Sequence, residues 1–235
     1  MIDIGKLYCG GTSTGDGLRY GTQSRPDCHG NSPHKVEKDA SLRRPIVVWN
    51  TTRTCNLKCV HCYTDSENRK YSNELTTKEA FKLIDELSDF GIPSLLFSGG
   101  EPFMREDLFT LLEYAAKKNV RPVISTNGTL IDRATAQRVK DSGVVYVGIS
   151  LDGLEHTNDK FRGVEGAFSR TMKGFDNCRA VNQRVGLRLT LTKRNYADLH
   201  GIFDFIEKEE INRACFYHLV YSGRGSSMYE DDLSH

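Results

Sequence analysis

The sequence contains no run of about 18 apolar residues, the length a helix needs to cross a bilayer. Its first residues, "MIDIGKLYCGG", lack the basic flank and apolar core of a secretory leader. Both absences point to a cytoplasmic protein with no membrane span. Also missing is any block of lysine and arginine long enough to track a phosphate backbone, and 32 Lys plus Arg against 31 Asp plus Glu leave a net charge of +1. Nucleic acid is not expected as a partner. A disulfide framework is a poor reading as well. The seven cysteines are odd in number, and Cys55, Cys59 and Cys62 stand too close together to pair sensibly with one another.

What is present fits one large domain: 235 residues with 38% hydrophobic content bury a substantial core and are short for two. Residues 1–44 read as an irregular arm, rich in glycine and in polar clusters such as "GGTSTGDG" and "HGNSPHK". From 45 to 222, apolar runs of strand length alternate with segments of helical period. The strand candidates are "PIVVW", "PSLLFS", "RPVIST", "VVYVGIS", "VGLRLTL" and "ACFYHLV". Thr76 and Glu79 have capping-box spacing, Ala80, Leu83, Ile84 and Leu87 form an apolar stripe, and Gly91 stands where a left-handed terminator is wanted. Leu108, Leu111, Leu112 and Ala115 repeat that pattern, as do Leu199, Ile202, Phe203 and Ile206, and weaker helices fit near 132–142 and 167–181.

This alternation predicts an α/β fold of parallel strands with helices outside, and six strands fit a partial (β/α)6 TIM-like barrel. A doubly wound sheet is the rival, but no G-x-G-x-x-G follows the first strand. Residues 223–235 trail into a polar tail where a covering helix is expected, and read as the start of a further C-terminal region.

In a parallel barrel the functional groups gather where the strands end. The unusual polar motifs fall there: the cysteine loop, then "SGGEP", "STNGT", "SLDG", "TKRN" and "YSGRG". The cysteine loop, "CNLKCVHCY", is C-x3-C-x2-C. A structural zinc site wants four ligands, and the nearby fourth candidate, His61, adjoins Cys62 and is badly placed to complete the tetrahedron. Three thiolates on a four-iron, four-sulfur cluster would instead leave one iron open for chemistry. A zinc or iron–sulfur module that binds without catalysing remains the non-enzymatic alternative.

The loop, with Tyr63 after its last cysteine, resembles the signature of the radical S-adenosylmethionine (SAM) enzymes. The resemblance implies a [4Fe-4S] cluster on Cys55, Cys59 and Cys62 and reductive cleavage of SAM to a 5′-deoxyadenosyl radical. It assigns "GGEP", with Gly99, Gly100 and Glu101, to the SAM amine. Ser125 and Asn127, Ser150 and Asp152, and Arg162 are assigned to the SAM ribose and carboxylate. Further stretches, among them "KLYCGGTSTGDGLRYG", "LLFSGGEPFMREDLF" and "YVGISLDGLEHTNDKFRG", resemble the tetrapyrrole-modifying branch that includes 12,18-didecarboxysiroheme deacetylase. That branch implies removal of acetate side chains from an iron tetrapyrrole in haem biosynthesis, and a ferredoxin or flavodoxin as electron donor. It also implies a second iron–sulfur cluster in a C-terminal region. Relatives in haem d1 synthesis, in iron-coproporphyrin decarboxylation and in peptide maturation share the core. Cys9, Cys28, His29 and His34 in the arm are read as incidental polar residues, with a lid or ligation of substrate iron as the alternative.

Overall fold

A computed structural model describes residues 2–3 and 44–233; Cys9, Cys28, His29, His34 and nearly all of the arm lie outside the described residues. Among the described residues seven strands form one sheet in the order β1-β7-β6-β5-β4-β3-β2. Strands β2 (Val47–Thr52), β3 (Ser94–Gly99), β4 (Arg121–Thr126), β5 (Tyr146–Ser150), β6 (Val185–Thr190) and β7 (Ala214–Tyr217) are parallel and neighbour one another in chain order. A doubly wound sheet would reverse that order part-way. It never reverses, as the partial barrel requires. The arm is not irregular from its start: Ile2–Asp3 forms β1, paired antiparallel with Phe216 and Cys215 of β7.

Helices fill the crossovers: α1 (Thr77–Phe90), α2 (Leu108–Lys117), α3 (Arg133–Asp141), α4 (Glu155–Arg162), α5 (Ala167–Ala180) and α6 (Leu199–Lys208). The capping box is formed as expected, with the Thr76 side chain accepting from the Glu79 N–H and the Glu79 carboxylate accepting from the Thr76 N–H at 2.8 Å. Gly91 ends α1 at φ 81°. Helix α4 was not expected, since "EHTNDKFR" carries no apolar stripe. The last strand stops at Tyr217, short of "HLV". No helix of the described residues is long and apolar enough to cross a membrane.

Alternation along the strands gives the sheet two unlike faces. Leu95, Phe97, Ile124, Val147, Ile149 and Leu187 point toward the helices and are almost completely buried in the main core with Ile84, Leu111, Leu112 and Phe175. The opposite face is polar toward the strand ends, with Val48, Leu96 and Val123 in register on its far half. On its polar half, partners in register include Ser125 with Gly148, Gly148 with Gly186, and Ser150 with Arg188.

Candidate active site

The cysteine loop leaves the end of β2 and is closed at its neck. Thr54 bridges Glu67, and the Cys55 N–H donates to the Glu67 carbonyl at 3.0 Å. One side rests on α4, where the N–H groups of Lys58 and Val60 donate to the carbonyls of Arg162 and Phe161 at 3.0 and 2.9 Å. Cys55 and Cys59 are buried and Cys62 is half-buried. Each sulfur faces a donor: the Leu57 N–H for Cys55 at 3.4 Å, Arg162 Nη1 for Cys59 at 3.6 Å, and the Ser66 N–H for Cys62 at 3.4 Å.

Their acidities differ accordingly. Burial pushes the Cys55 thiol up to about 12 and raises that of Cys59, where the Arg162 charge works in the opposite direction. At Cys62 burial is outweighed by hydrogen bonds from the Ser66 N–H and from Thr64, so its thiol lies below the usual range. A thiolate that burial disfavours is one that gains from a metal cation. Among the described residues no three Cys, His, Asp or Glu side chains close around one point as ligands of a single ion must. Four buried polar atoms here, His61 Nδ1, Asn158 Nδ2, Arg162 Nε and Arg224 Nη2, have no hydrogen-bond partner, the mark of a place built for a polar ligand. The residues therefore fit a cluster with a polar ligand beside it.

"GGEP" crosses directly beneath the loop. The Gly100 N–H donates to the Thr52 carbonyl at 2.7 Å and the Glu101 N–H to the Thr54 carbonyl at 2.9 Å. A Cβ on Gly100 would lie 2.4 Å from the Thr54 oxygen, so glycine is required for this approach. Glu101 is fully buried. Its carboxylate accepts from Thr126 Oγ1 at 2.7 Å, the Asn127 N–H at 2.8 Å and the Phe103 N–H at 3.2 Å, so three of its roughly four acceptor positions are filled by the chain itself. Burial pushes its pKa up to about 7 against those three donors.

The remaining expected residues fall into two groups. Asp152 and Arg162, read separately in the sequence, are a buried ion pair at 2.5 Å, with His61 Nε2 at 3.4 Å from the same carboxylate oxygen. Asp152 is further fixed by the Thr190 N–H at 2.8 Å. Asn127 turns its amide to Asn56 at 2.9 Å, tying the loop to the end of β4. Ser125 and Ser150 lie apart from these on the polar sheet face, where Ser125 accepts from Arg188 at 2.7 Å. Tyr63 is 42% exposed and donates to Asn50 Oδ1 at 2.9 Å. Along the same outer edge of β2 opens a cleft of about 560 Å³, walled by Trp49, Tyr71 and Glu74 among others.

Three contributors escaped the sequence reading. Arg224 of "SGRG" holds the loop from the other side, through Nε to the Cys59 carbonyl at 2.8 Å and Nη1 to Asp65 at 2.9 Å and to the Ser66 carbonyl at 3.0 Å. The tail that begins there is thus part of the site: it runs as a 3-10 segment over Gly223–Asp231 and lies against the loop. His61, weighed in the sequence as a fourth zinc ligand, reaches Asp152. Asn195, fully buried, donates to the Asp152 and Thr190 carbonyls at 2.8 and 2.7 Å. Only the placement of "YSGRG" and "TKRN" on the rim hinted at Arg224 and Asn195.

The Radical SAM superfamily model matches residues 49–206. The chain belongs to the radical SAM superfamily. That membership implies a [4Fe-4S] cluster and SAM, and residues 49–206 hold the cysteine loop, "GGEP" and every other expected site residue. Among curated proteins the chain is 53% identical over 234 residues to the Fe-coproporphyrin III synthase of Methanosarcina barkeri, covering 100% of this chain and 57% of that one. It is 41% identical to the pre-heme d1 synthase of Dinoroseobacter shibae, covering 82% and 48%. The chain thus spans about half the length of these relatives. Among solved structures, SuiB of Streptococcus suis bound to S-adenosylmethionine superposes with a TM-score of 0.66 at 23% identity, covering 81% of this chain and 43% of that one, a likeness of fold.

Proposed function

We propose that this chain is the catalytic barrel of a radical SAM enzyme of haem biosynthesis that removes two acetate side chains from 12,18-didecarboxysiroheme, giving iron coproporphyrin III. The observation that carries the reading is the cysteine loop itself: three free thiols on one loop at the C-terminal end of a parallel sheet, beside buried polar atoms that lack partners among the described residues. The 53% identity to a protein named Fe-coproporphyrin III synthase supports the substrate class. When bound, the cluster supplies an electron and SAM the 5′-deoxyadenosyl radical that takes hydrogen from the substrate.

The chain's part is to hold and orient. Cys55, Cys59 and Cys62 would ligate three irons, and the Arg162–Asp152 pair with His61 fixes the side of the loop where Cys59 lies. The last acceptor position of Glu101, with the backbone of Gly99 and Gly100, would receive the SAM ammonium. Ser125, Asn127, Ser150, Asp152, Arg162 and Tyr63 complete the set assigned to SAM. Burial of Cys55, Cys59, Glu101 and Asp152 keeps water from the reacting groups. The reading includes a ferredoxin or flavodoxin as donor, because the cluster must work near the reducing end of a range that extends to about −700 mV. It also includes cytoplasmic location and the second cluster of a C-terminal region. The 41% identity to pre-heme d1 synthase favours a second reading, a step of haem d1 synthesis.

The test is anaerobic reconstitution, iron and sulfide analysis, and an assay for 5′-deoxyadenosine after dithionite and SAM, followed by mass spectrometry of didecarboxysiroheme. Cluster, 5′-deoxyadenosine and loss of two acetate groups are the expected results. One zinc per chain refutes the chemistry. SAM cleavage with an unchanged tetrapyrrole refutes the substrate.

A further inference from the structure

The polar face of the sheet carries an arginine that none of the assigned roles uses. Arg188, on β6, is half-buried and lies across β5 to donate from Nη1 to Ser125 on β4 at 2.7 Å. Its passage depends on Gly148, where a Cβ would sit 2.2 Å from Arg188 Nε. The neighbouring strand returns the arrangement: Tyr146 of β5 extends over Gly186 of β6, where a Cβ would sit 2.5 Å from the phenol oxygen. Gly148 and Gly186 are direct partners in register. Two adjacent strands have thus each given up a side chain to seat a polar group of the other.

Neither polar group is satisfied. Tyr146 Oη and Arg188 Nε are buried and have no hydrogen-bond partner, and no carboxylate of the described residues pairs with Arg188. A half-buried guanidinium that finds one hydroxyl as its acceptor among the described residues is costly to keep unless something anionic completes it. The planar fork of arginine matches a carboxylate, and the Tyr146 hydroxyl, over the neighbouring strand on the same sheet face, offers a second donor to an anion lying across Gly148 and Gly186. Arg188 stands two residues before the end of β6 and Ser125 one before the end of β4, just inside the rim that bears the cysteine loop.

We infer that Arg188 and Tyr146 form a carboxylate-binding subsite inside the barrel that takes a side-chain carboxylate of the substrate. The assignment rests on the reading that the substrate is a carboxylate-bearing tetrapyrrole. The other source of the same chemistry is the SAM carboxylate, and the experiment separates the two.

The chain, reconstituted under anaerobic conditions, is titrated with SAM, with iron coproporphyrin III and with the methyl ester of that porphyrin, for the wild type and for Arg188→Met, Arg188→Lys and Tyr146→Phe. Circular dichroism and iron content check that each variant is folded and loaded. Arg188→Met should bind iron coproporphyrin III about 10- to 100-fold more weakly, the value of a lost charge-assisted hydrogen bond. Arg188→Lys should recover part of that loss, and Tyr146→Phe, which leaves the charge in place, should weaken binding several-fold. SAM affinity should not move, and the ester should bind wild type and variants alike. Weakened SAM binding with unchanged porphyrin binding overturns the assignment in favour of the cofactor, and porphyrin affinity indifferent to folded Arg188→Lys and Tyr146→Phe overturns it outright. A wild type that cleaves SAM yet binds neither porphyrin form refutes the substrate reading and the subsite with it.

Discussion

Replacing Glu101 by glutamine tests how the carboxylate beneath the cysteine loop is held. In the folded chain its pKa is pushed from the usual 4.5 up to about 7 by complete burial, against hydrogen bonds from Asn127, Thr126 and Phe103. A raised carboxyl pKa means that the folded state binds the proton more tightly than the unfolded one. The resulting stability is fully present below pH 4.5 and is lost as pH rises through about 7. The interval from 4.5 to about 7 corresponds to about 3 kcal/mol. Glutamine cannot titrate, so this component disappears from the variant. In exchange its amide NH2 faces one of the three donors that the carboxylate accepted, a mismatch of about 1–3 kcal/mol at every pH.

The variant should therefore be less stable than wild type near about pH 5, with the deficit shrinking or reversing near about pH 8. Urea unfolding followed by the fluorescence of Trp49, the one tryptophan, measures the difference curve. Subtracting the two chains cancels every other titrating group. A difference that is flat across this window would show that the three donors offset burial completely, and the raised carboxyl pKa would be refuted.

Other perturbations probe the rest of the site. Cys59→Ala should abolish cluster retention and 5′-deoxyadenosine formation, read by iron analysis and chromatography. Asp152→Asn leaves the Arg162 charge buried without its partner and should destabilise by about 3–5 kcal/mol, measured by urea unfolding at neutral pH. Gly100→Ala places a methyl 2.4 Å from the Thr54 carbonyl oxygen; the backbone must shift, for a loss of about 1–3 kcal/mol and weaker iron retention than in a surface control such as Lys82→Ala.

Local signals made much of the fold legible. Helix α1 announces its start with Thr76 and Glu79 and its end with Gly91, because caps are read from residues within one turn. The strands show as apolar runs because Leu95, Phe97, Ile124, Val147, Ile149 and Leu187 pack under the helices while Val48, Leu96 and Val123 add apolar residues on the other face, and loop spacing marked the three cysteines. Helix α4 was hidden because Phe161 and Arg162 are its buried anchors and the rest of "EHTNDKFR" is polar. The Asp152–Arg162 pair was invisible for a different reason. Each residue was assigned to a ligand on its own motif, and nothing in a linear pattern shows that two side chains satisfy each other. Arg224 lies 165 positions from the Cys59 carbonyl it holds, and contacts at that separation leave no period to detect.

The antiparallel junction of β1 with β7 bears on how the sheet is assembled. Each parallel pairing joins strands that follow one another along the chain, so each can form as soon as its second member is synthesised. The stitch between Ile2–Asp3 and Phe216–Cys215 is different: it needs the opening residues to wait until more than two hundred others have been made. Once made, the outer margin of β7 is open to pairing with a neighbouring chain until Ile2–Asp3 covers it. A fusion partner placed directly ahead of Ile2 would hinder that final stitch, so tags belong elsewhere when this protein is prepared.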